Sequence, residues 1–211
     1  NINMSDKIKY KLNSSAEMRS FPFEGTDYDT PSKINDALGG HIYAMIGTGE
    51  AAINISASDG GNHWIGSLDS IKSQDGFWLK PTGSINSWGP TGTATGELSG
   101  TLRPAEASYT FEAGKPAKLI SYPQPVNKSF SDAVDGDDLY HNQQIHSIIG
   151  QGEAKTFNTS LGYWIGSLTT FTTGSGYWFI TSNTNSTKPI WKPDISYGNP
   201  LHYTPCDHIS P

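Results

Sequence analysis

The sequence contains the same series of motifs twice, in the same order, with a spacing of about 100 residues. Three motifs recur: Ile-Gly-x-Gly-Glu-Ala at 46–51 and 149–154, Trp-Ile-Gly-Ser-Leu at 64–68 and 164–168, and Gly-aromatic-Trp at 76–78 and 176–178. Self-similarity at a nearly constant spacing is the signature of repeated structural units. The sequence therefore predicts two homologous units, which limits the folds that this chain can adopt.

The repeat also predicts the fold class and the domain organisation. Short runs rich in β-branched and aromatic residues, separated by Gly, Pro and polar turns, predict strands in both units. We therefore expect a mainly β fold, of a β-rich α+β class with short helices. The units are assigned to residues 1–80 and 109–182, joined by a Gly- and Thr-rich linker at 81–108. Residues 183–211 contain five prolines and are interpreted as an extended C-terminal tail.

Each unit is predicted to contain several strands and one short helix. The predicted strands are 18–23, 42–46, a segment around Ile53, 64–68 and 77–80, with counterparts that include 118–122 and 145–149. Thr30 precedes Pro31, which is the order of a helix N-cap followed by proline in the first turn. This pattern predicts a helix over 31–38 that ends at two glycines, with its counterpart at 130–134.

Composition excludes several classes of function. The net charge is −6, with 14 basic against 20 acidic residues, so the chain lacks the dense basic surface that a general nucleic-acid binder needs. No apolar run approaches the roughly 20 residues that a membrane-spanning helix requires. We therefore expect neither nucleic-acid binding nor membrane insertion. The single cysteine, Cys206, cannot form a disulfide within the chain.

No motif amounts to a catalytic or cofactor-binding signature. Residues 47–52 satisfy G-x-G-x-x-A, but that fingerprint needs a helix directly afterwards, and the residues that follow are β-branched and turn-rich. A glycine-permitted turn between two strands is the better interpretation. The chain contains no G-x-S-x-G, H-E-x-x-H or P-loop sequence. We therefore predict no cofactor.

Two acids recur in the repeat and leave two interpretations open. Glu50 and Glu153 occupy the same position of this motif in each unit, and a repeated carboxylate could form the acid pair of a glycan-acting enzyme. A residue of this kind more often stabilises a turn by accepting backbone N–H bonds. We favour the structural role for both residues and keep the enzyme as a remote alternative, so the chain is not expected to be an enzyme.

Two further clusters contain metal-ligand residue types. Asp132, Asp135, Asp137 and Asp138 form an acidic segment without the EF-hand spacing, so a solvated loop is favoured over a calcium site. His202, Cys206 and His208 lie close together in the tail but lack the paired spacing of a zinc site. No metal site is predicted.

The aromatic residues are the remaining candidates for a binding role. The repeated tryptophans, Trp64, Trp78, Trp164 and Trp178, are assigned to structure, because a small unit needs their large apolar area in its core. Phe77 and Tyr177 each precede a tryptophan and therefore point to the opposite sheet face, where we expect an exposed ring that contacts a partner or a sugar. The tail aromatics Trp191, Tyr197 and Tyr203 are expected to contact a partner as well.

The motif order resembles a known repeat. The second unit carries Leu-Ile-Ser-Tyr-Pro at 119–123, followed by the motifs at 149–154, 164–168 and 176–178. This series resembles a repeat of bacterial cell-surface proteins and of virion-associated proteins of marine tailed phages. The first unit differs from it at Met18, Arg19 and Phe77. The resemblance implies a β-rich, non-enzymatic module without a shared active site, and fold-level analogy does not supply a ligand.

We therefore expect a structural or adhesive component of a virion, such as a tail, fibre or capsid-surface protein. Its partners would be other virion or surface subunits, or further copies of the same chain. The alternative is a bacterial cell-surface adhesin or carbohydrate-binding module with a glycan as its partner. Both interpretations place the protein in a virion or on an extracellular surface.

Overall fold

The computed structural model describes residues 6–13, 15–57, 61–82 and 93–193. It is mainly β, as the sequence predicts. The first half contains β1 Asp6–Asn13, β2 Glu17–Ser20, α1 Pro31–Ala37, β3 Ile42–Ile46, β4 Ala51–Asn54, β5 Trp64–Gly66, β6 Gly76–Pro81 and β7 Thr93–Gly100. The second half contains β8 Ser108–Phe111, β9 Ala117–Ser121, β10 Lys128–Ser129, α2 Phe130–Ala133, α3 Gly136–His141, β11 Ile145–Gly150, β12 Glu153–Asn158, β13 Tyr163–Gly166, β14 Thr170–Phe171, β15 Gly176–Thr181 and β16 Ser186–Pro189.

Two five-stranded antiparallel sheets have the same strand order. The first runs β2-β6-β3-β4-β5 and the second runs β9-β15-β11-β12-β13. Each sheet also has a register shift at the same place, between the first and third residues of β3 and of β11. The motifs that recur in the sequence therefore occupy equivalent strands, and the loops that differ lie outside these ladders.

A two-stranded ladder completes each half of the fold. β1 pairs with β7 over eight residue pairs, and β8 pairs with β16 over four. These pairings place β7 in the first unit, although its residues were assigned to a linker, and β16 in the second unit, although its residues were assigned to a tail. The side chains of β1 alternate between exposed and buried, because Ile8, Tyr10 and Leu12 all point towards the core.

Two separate cores show where the units divide. The first core is formed by residues between Ile8 and Leu102, and the second by residues between Ala105 and Trp191. The term first unit therefore refers below to residues 6–102, and second unit to residues 105–191. Trp191 lies in the second core, 3% exposed, so it is not free to contact a partner. Its indole N–H donates to the Ser121 carbonyl at 3.1 Å and the Tyr109 hydroxyl at 3.2 Å.

The helices begin at caps that the sequence largely reveals. Thr30 caps α1 by accepting a hydrogen bond from the Lys33 backbone N–H at 3.3 Å, and Pro31 is its first residue, as predicted. α2 is the predicted counterpart. The segment that follows was expected to be a solvated loop, but residues 136–141 form α3. Asp135 caps this helix by accepting from the Asp138 N–H at 3.1 Å.

Within the described residues, no helix is long and apolar enough to cross a membrane.

Candidate functional site

Each five-stranded sheet has one covered face and one outward face. The covered faces hold Phe77 and Tyr177, which are 0% and 2% exposed. The expectation that these two rings are exposed is therefore wrong. The tryptophans that follow them, Trp78 and Trp178, are half-buried on the outward faces. Strand alternation predicts that neighbours point to opposite faces, but it does not say which face the core covers.

Paired residues form matching rows across the two outward faces. In the first sheet, Trp78 pairs with Ile46, and Ile46 pairs with Ala51. In the second sheet the corresponding row contains Trp178, Ile149 and Ala154. A second row carries Ile53 beside Ile65 in the first unit and Thr156 beside Ile165 in the second unit. The outward faces are thus apolar in the same places, except that Thr156 stands where the first sheet has Ile53.

These outward faces are not covered by any of the described residues. Ile46 and Ile65 are 46% and 52% exposed, and their counterparts Ile149 and Ile165 are 38% and 43% exposed. Of the ten large exposed hydrophobic residues among those described, only Val126 lies away from the outward faces and the turns beside them. The other nine are Tyr43, Ile46, Ile53, Ile55, Ile65, Ile149, Leu161, Tyr163 and Ile165. A concentration of exposed apolar side chains is typical of a surface that binds another molecule.

The repeated tryptophans therefore have two different roles. Trp64 and Trp164 pack against the first and second cores as assigned. Trp164 donates its indole N–H to the Gly136 carbonyl at 2.8 Å, and Trp64 donates to the Asn62 side chain at 2.6 Å. Trp78 and Trp178 instead belong to the outward faces.

The two units contact one another through pairs of equivalent hydrogen bonds. The Ser20 N–H donates to the Gly174 carbonyl, and the Ser121 N–H donates to the Gln74 carbonyl, both at 3.0 Å. Both serines are fully buried, and each hydroxyl also donates to a carbonyl of the other unit, at 2.7 Å for Ser20 and 2.6 Å for Ser121. The two main-chain bonds are therefore related by an approximate twofold axis, whereas the hydroxyls donate to carbonyls at non-equivalent positions, those of Ser175 and Ser73.

The glycine of the Gly-aromatic-Trp motif lies at the centre of this contact. A Cβ on Gly76 would be 2.9 Å from the Ile120 carbonyl oxygen and 3.2 Å from the Cα of Gly176. A Cβ on Gly176 would be 2.9 Å from the Arg19 carbonyl oxygen. The glycines thus allow the two backbones to approach more closely than any other residue would.

A polar cleft of about 350 Å³ opens between the units on one side of this contact. The first unit contributes Thr48, Gly49, Glu50, Lys72, Gln74 and Asp75, and the second contributes Thr110, Glu112, Lys115, Ala117 and Lys118. An ion pair joins the units inside it, with the Lys118 Nζ 3.2 Å from the Asp75 Oδ1. A second pair, Lys115 with Glu112 at 2.8 Å, lies within the second unit. Volumes of this size are typical of small-ligand sites.

Glu50 is the acid in this cleft that has no ion-pair or hydrogen-bond partner for its carboxylate among the described residues. Burial raises its pKa, and the nearby Asp75 carboxylate raises it further. Burial also raises the pKa of Glu153, but Glu153 does not line this cleft. This cleft therefore contains only one of the two repeated glutamates, whereas a glycosidase site requires a pair of carboxyl groups.

The other clusters are used in local structure or lie outside the described residues. In the acidic segment, Asp138 accepts hydrogen bonds from the side chains of Asn142 and Gln143, in addition to the cap formed by Asp135. The tail residues Tyr197, His202, Tyr203, Cys206 and His208 lie outside the described part of the chain. Among the residues that are described, no group of three or more His, Cys, Asp or Glu side chains could hold a metal ion.

Comparisons with known proteins do not identify the chain. No protein-family model matches it, and neither a curated protein nor a solved structure is significantly similar to it.

Proposed function

We propose that this chain is a non-enzymatic structural or adhesive component of a virion, a tail, fibre or capsid-surface protein of a tailed phage. In this proposal, the outward sheet faces attach it to neighbouring subunits. The observation that supports it best is the concentration of exposed apolar residues on two equivalent faces. The motif resemblance to virion-associated proteins points in the same direction.

The apolar faces favour attachment to a protein for an energetic reason. Each exposed isoleucine that a neighbour covers contributes roughly 1–2 kcal/mol, at about 25 cal/mol for each Å² removed from water. The outward faces carry five exposed isoleucines in the first two rows of paired residues, Ile46, Ile53, Ile65, Ile149 and Ile165. Two equivalent faces also let one chain contact two neighbours, as a repeating assembly requires.

The test is to locate the chain and then to change its outward faces. Particles purified by density gradient from cultures that produce the protein should contain it by mass spectrometry, at a constant ratio to a major capsid or tail subunit. The double variant Ile65→Lys/Ile165→Lys should reduce incorporation at least about tenfold, because each lysine would have to be desolvated at an interface. Val126→Lys places the same charge at an exposed apolar site away from these faces and should incorporate normally.

Two results would contradict the proposal. The first is that the protein is absent from particles and surface layers and is found only free in the medium or the cell. The second is that the Ile65→Lys/Ile165→Lys variant incorporates as well as the unchanged chain.

The second candidate is a surface adhesin or carbohydrate-binding module. Tyr163 favours it, because its ring is 55% exposed on the outward face that also carries Trp178. A flat aromatic ring of this kind can stack on a sugar. A glycan array should then detect binding that Tyr163→Ala abolishes and Val126→Ala leaves unchanged. An array without signal for the unchanged chain would exclude this candidate.

A further inference from the structure

The cleft between the units is bordered by the edge of β9 that does not pair with β15. The Thr181 N–H donates to the Pro116 carbonyl at 2.8 Å, so residues 116 and 181 form a hydrogen-bonded pair. In an antiparallel ladder such pairs alternate with pairs whose N–H and C=O groups point away from each other. Ala117 and Leu119 therefore direct their main-chain groups away from β15 and towards the first unit. The Leu119 N–H confirms this direction, because it donates to the Thr48 hydroxyl oxygen at 3.1 Å.

The equivalent edge in the other unit is more completely bonded. There the Met18 N–H donates to the Gln151 side-chain oxygen at 3.0 Å, and the Gln151 amide donates to the Ala16 carbonyl at 3.4 Å. Gln151 therefore satisfies two main-chain groups of that edge. Thr48 occupies the corresponding place in the repeat, and its shorter side chain bonds only the Leu119 N–H.

This difference leaves the main-chain groups of Ala117 facing the cleft. A main-chain N–H and C=O on a strand edge match the hydrogen-bonding groups of another extended chain. None of the residues that line the cleft is aromatic, so a sugar ring would find no flat surface on which to stack. Beside this edge lies Glu50, whose carboxylate would be stabilised by a positively charged group.

We propose that this cleft binds an extended peptide segment of a partner protein, which hydrogen-bonds to Ala117 and places a basic side chain against Glu50. The proposal rests on the proposed function only for the source of the peptide, a neighbouring subunit. The outward faces would then supply apolar contact area. The cleft would supply main-chain hydrogen bonds at Ala117 and an ion pair at Glu50. Peptide binding and particle incorporation are separate measurements, so either can fail without the other.

The probe is the blocked tripeptide acetyl-Val-Lys-Val-amide, titrated into the ¹⁵N-labelled full chain. We expect saturable shifts of the Ala117 and Leu119 amide resonances. Thr48→Gln should weaken binding by about tenfold, because the glutamine would bond the Ala117 carbonyl as Gln151 bonds that of Ala16. Glu50→Gln should weaken it by about twofold to fivefold. Glu153→Gln changes the equivalent acid of the other unit and should leave binding unchanged.

The Thr48→Gln variant is expected to fold, since glutamine already occupies the equivalent position, and its amide spectrum provides the check. Three results would overturn the proposal. Acetyl-Val-Lys-Val-amide could leave the Ala117 amide unshifted. It could bind Thr48→Gln as tightly as the unchanged chain. Acetyl-Val-Glu-Val-amide or N-acetylglucosamine could shift Ala117 while the lysine peptide does not.

Discussion

Tyr10 shows how one buried side chain can link the stability of the fold to pH. Its ring lies in the first core, 1% exposed, and its hydroxyl donates to the Ser20 carbonyl at 2.8 Å. Burial raises the pKa of this phenol well above its ordinary value near 10.0. The folded chain therefore keeps the proton at a pH where the unfolded chain has released it, which is the condition for stability to fall as pH rises.

We predict that the thermal midpoint falls more steeply above pH 10 in the unchanged chain than in Tyr10→Phe. The phenylalanine variant loses the hydrogen bond, about 1 kcal/mol at neutral pH, but it no longer has a phenol that must stay protonated. The measurement is the difference in Tm between pH 8 and pH 11, by circular dichroism. Tyr163→Phe, at an exposed site, is the control and should keep the original slope. Equal slopes for all three proteins would show that Tyr10 does not contribute.

At the scale of elements, the closing strands explain why the predicted unit boundaries were too short. β7 and β16 each pair with the first strand of their own unit, 80 to 94 residues away for β7, and sequence-local signals do not report such distant partners. Lysines alternate with apolar residues in β1, and this period of two is a strand signal that the repeated motifs do not include. The residues after β16 likewise pack into the second core.

Trp191 provides the prediction at this scale. Its ring lies 4.8 Å from the Phe171 ring centroid, 5.1 Å from that of Tyr122 and 5.4 Å from that of Phe179. Trp191→Ala should reduce the free energy of unfolding by about 3–5 kcal/mol, because it leaves a large cavity. Trp191→Phe should cost less, since it keeps a ring and loses mainly the two indole hydrogen bonds. Urea denaturation measures both, with Val126→Ala as an exposed control. A loss below about 1 kcal/mol for Trp191→Ala would contradict its place in the core.

At the scale of the whole molecule, the twofold contact joins the two cores. It includes main-chain and serine hydrogen bonds around Gly76 and Gly176, the bonds made by Thr48 and Gln151, and the ion pair in the cleft. Arg103 strengthens the connection, because its guanidinium lies 3.5 Å from the Glu24 carboxylate of the first unit and 5.0 Å from the Tyr109 ring centroid of the second. The units are therefore expected to unfold together.

We predict that Gly76→Ala lowers the urea midpoint by the equivalent of about 1–3 kcal/mol, because its methyl group would collide with backbone of the other unit. Gly176→Ala should have a similar effect. Gly100→Ala is the control within one unit, where the added Cβ would approach only the Phe23 ring, at 3.3 Å. Tryptophan fluorescence follows the transition. If Gly76→Ala unfolds at the same urea concentration as the unchanged chain, the units do not depend on this close approach.

The sequence by itself determined the mainly β class, the motifs that occupy equivalent strands, and the N-cap of α1. These features depend on local periodicity, turn chemistry and self-similarity, all of which can be read along the chain. The sequence also contains one difference between the copies that indicates the cleft. The variable position of Ile-Gly-x-Gly-Glu-Ala is Thr48 in the first copy and Gln151 in the second.

Only the tertiary structure decided which face of each sheet is covered. Alternation assigns Phe77 and Trp78 to opposite faces, but burial depends on the helix, ladder and core residues that pack on one side, and these are distant in sequence. The tertiary structure also decided the hydrogen bonding of the cleft. Thr48 and Gln151 differ in effect only because each contacts the edge strand of the other unit. Contacts between residues this far apart in sequence form only when the two units pack against each other.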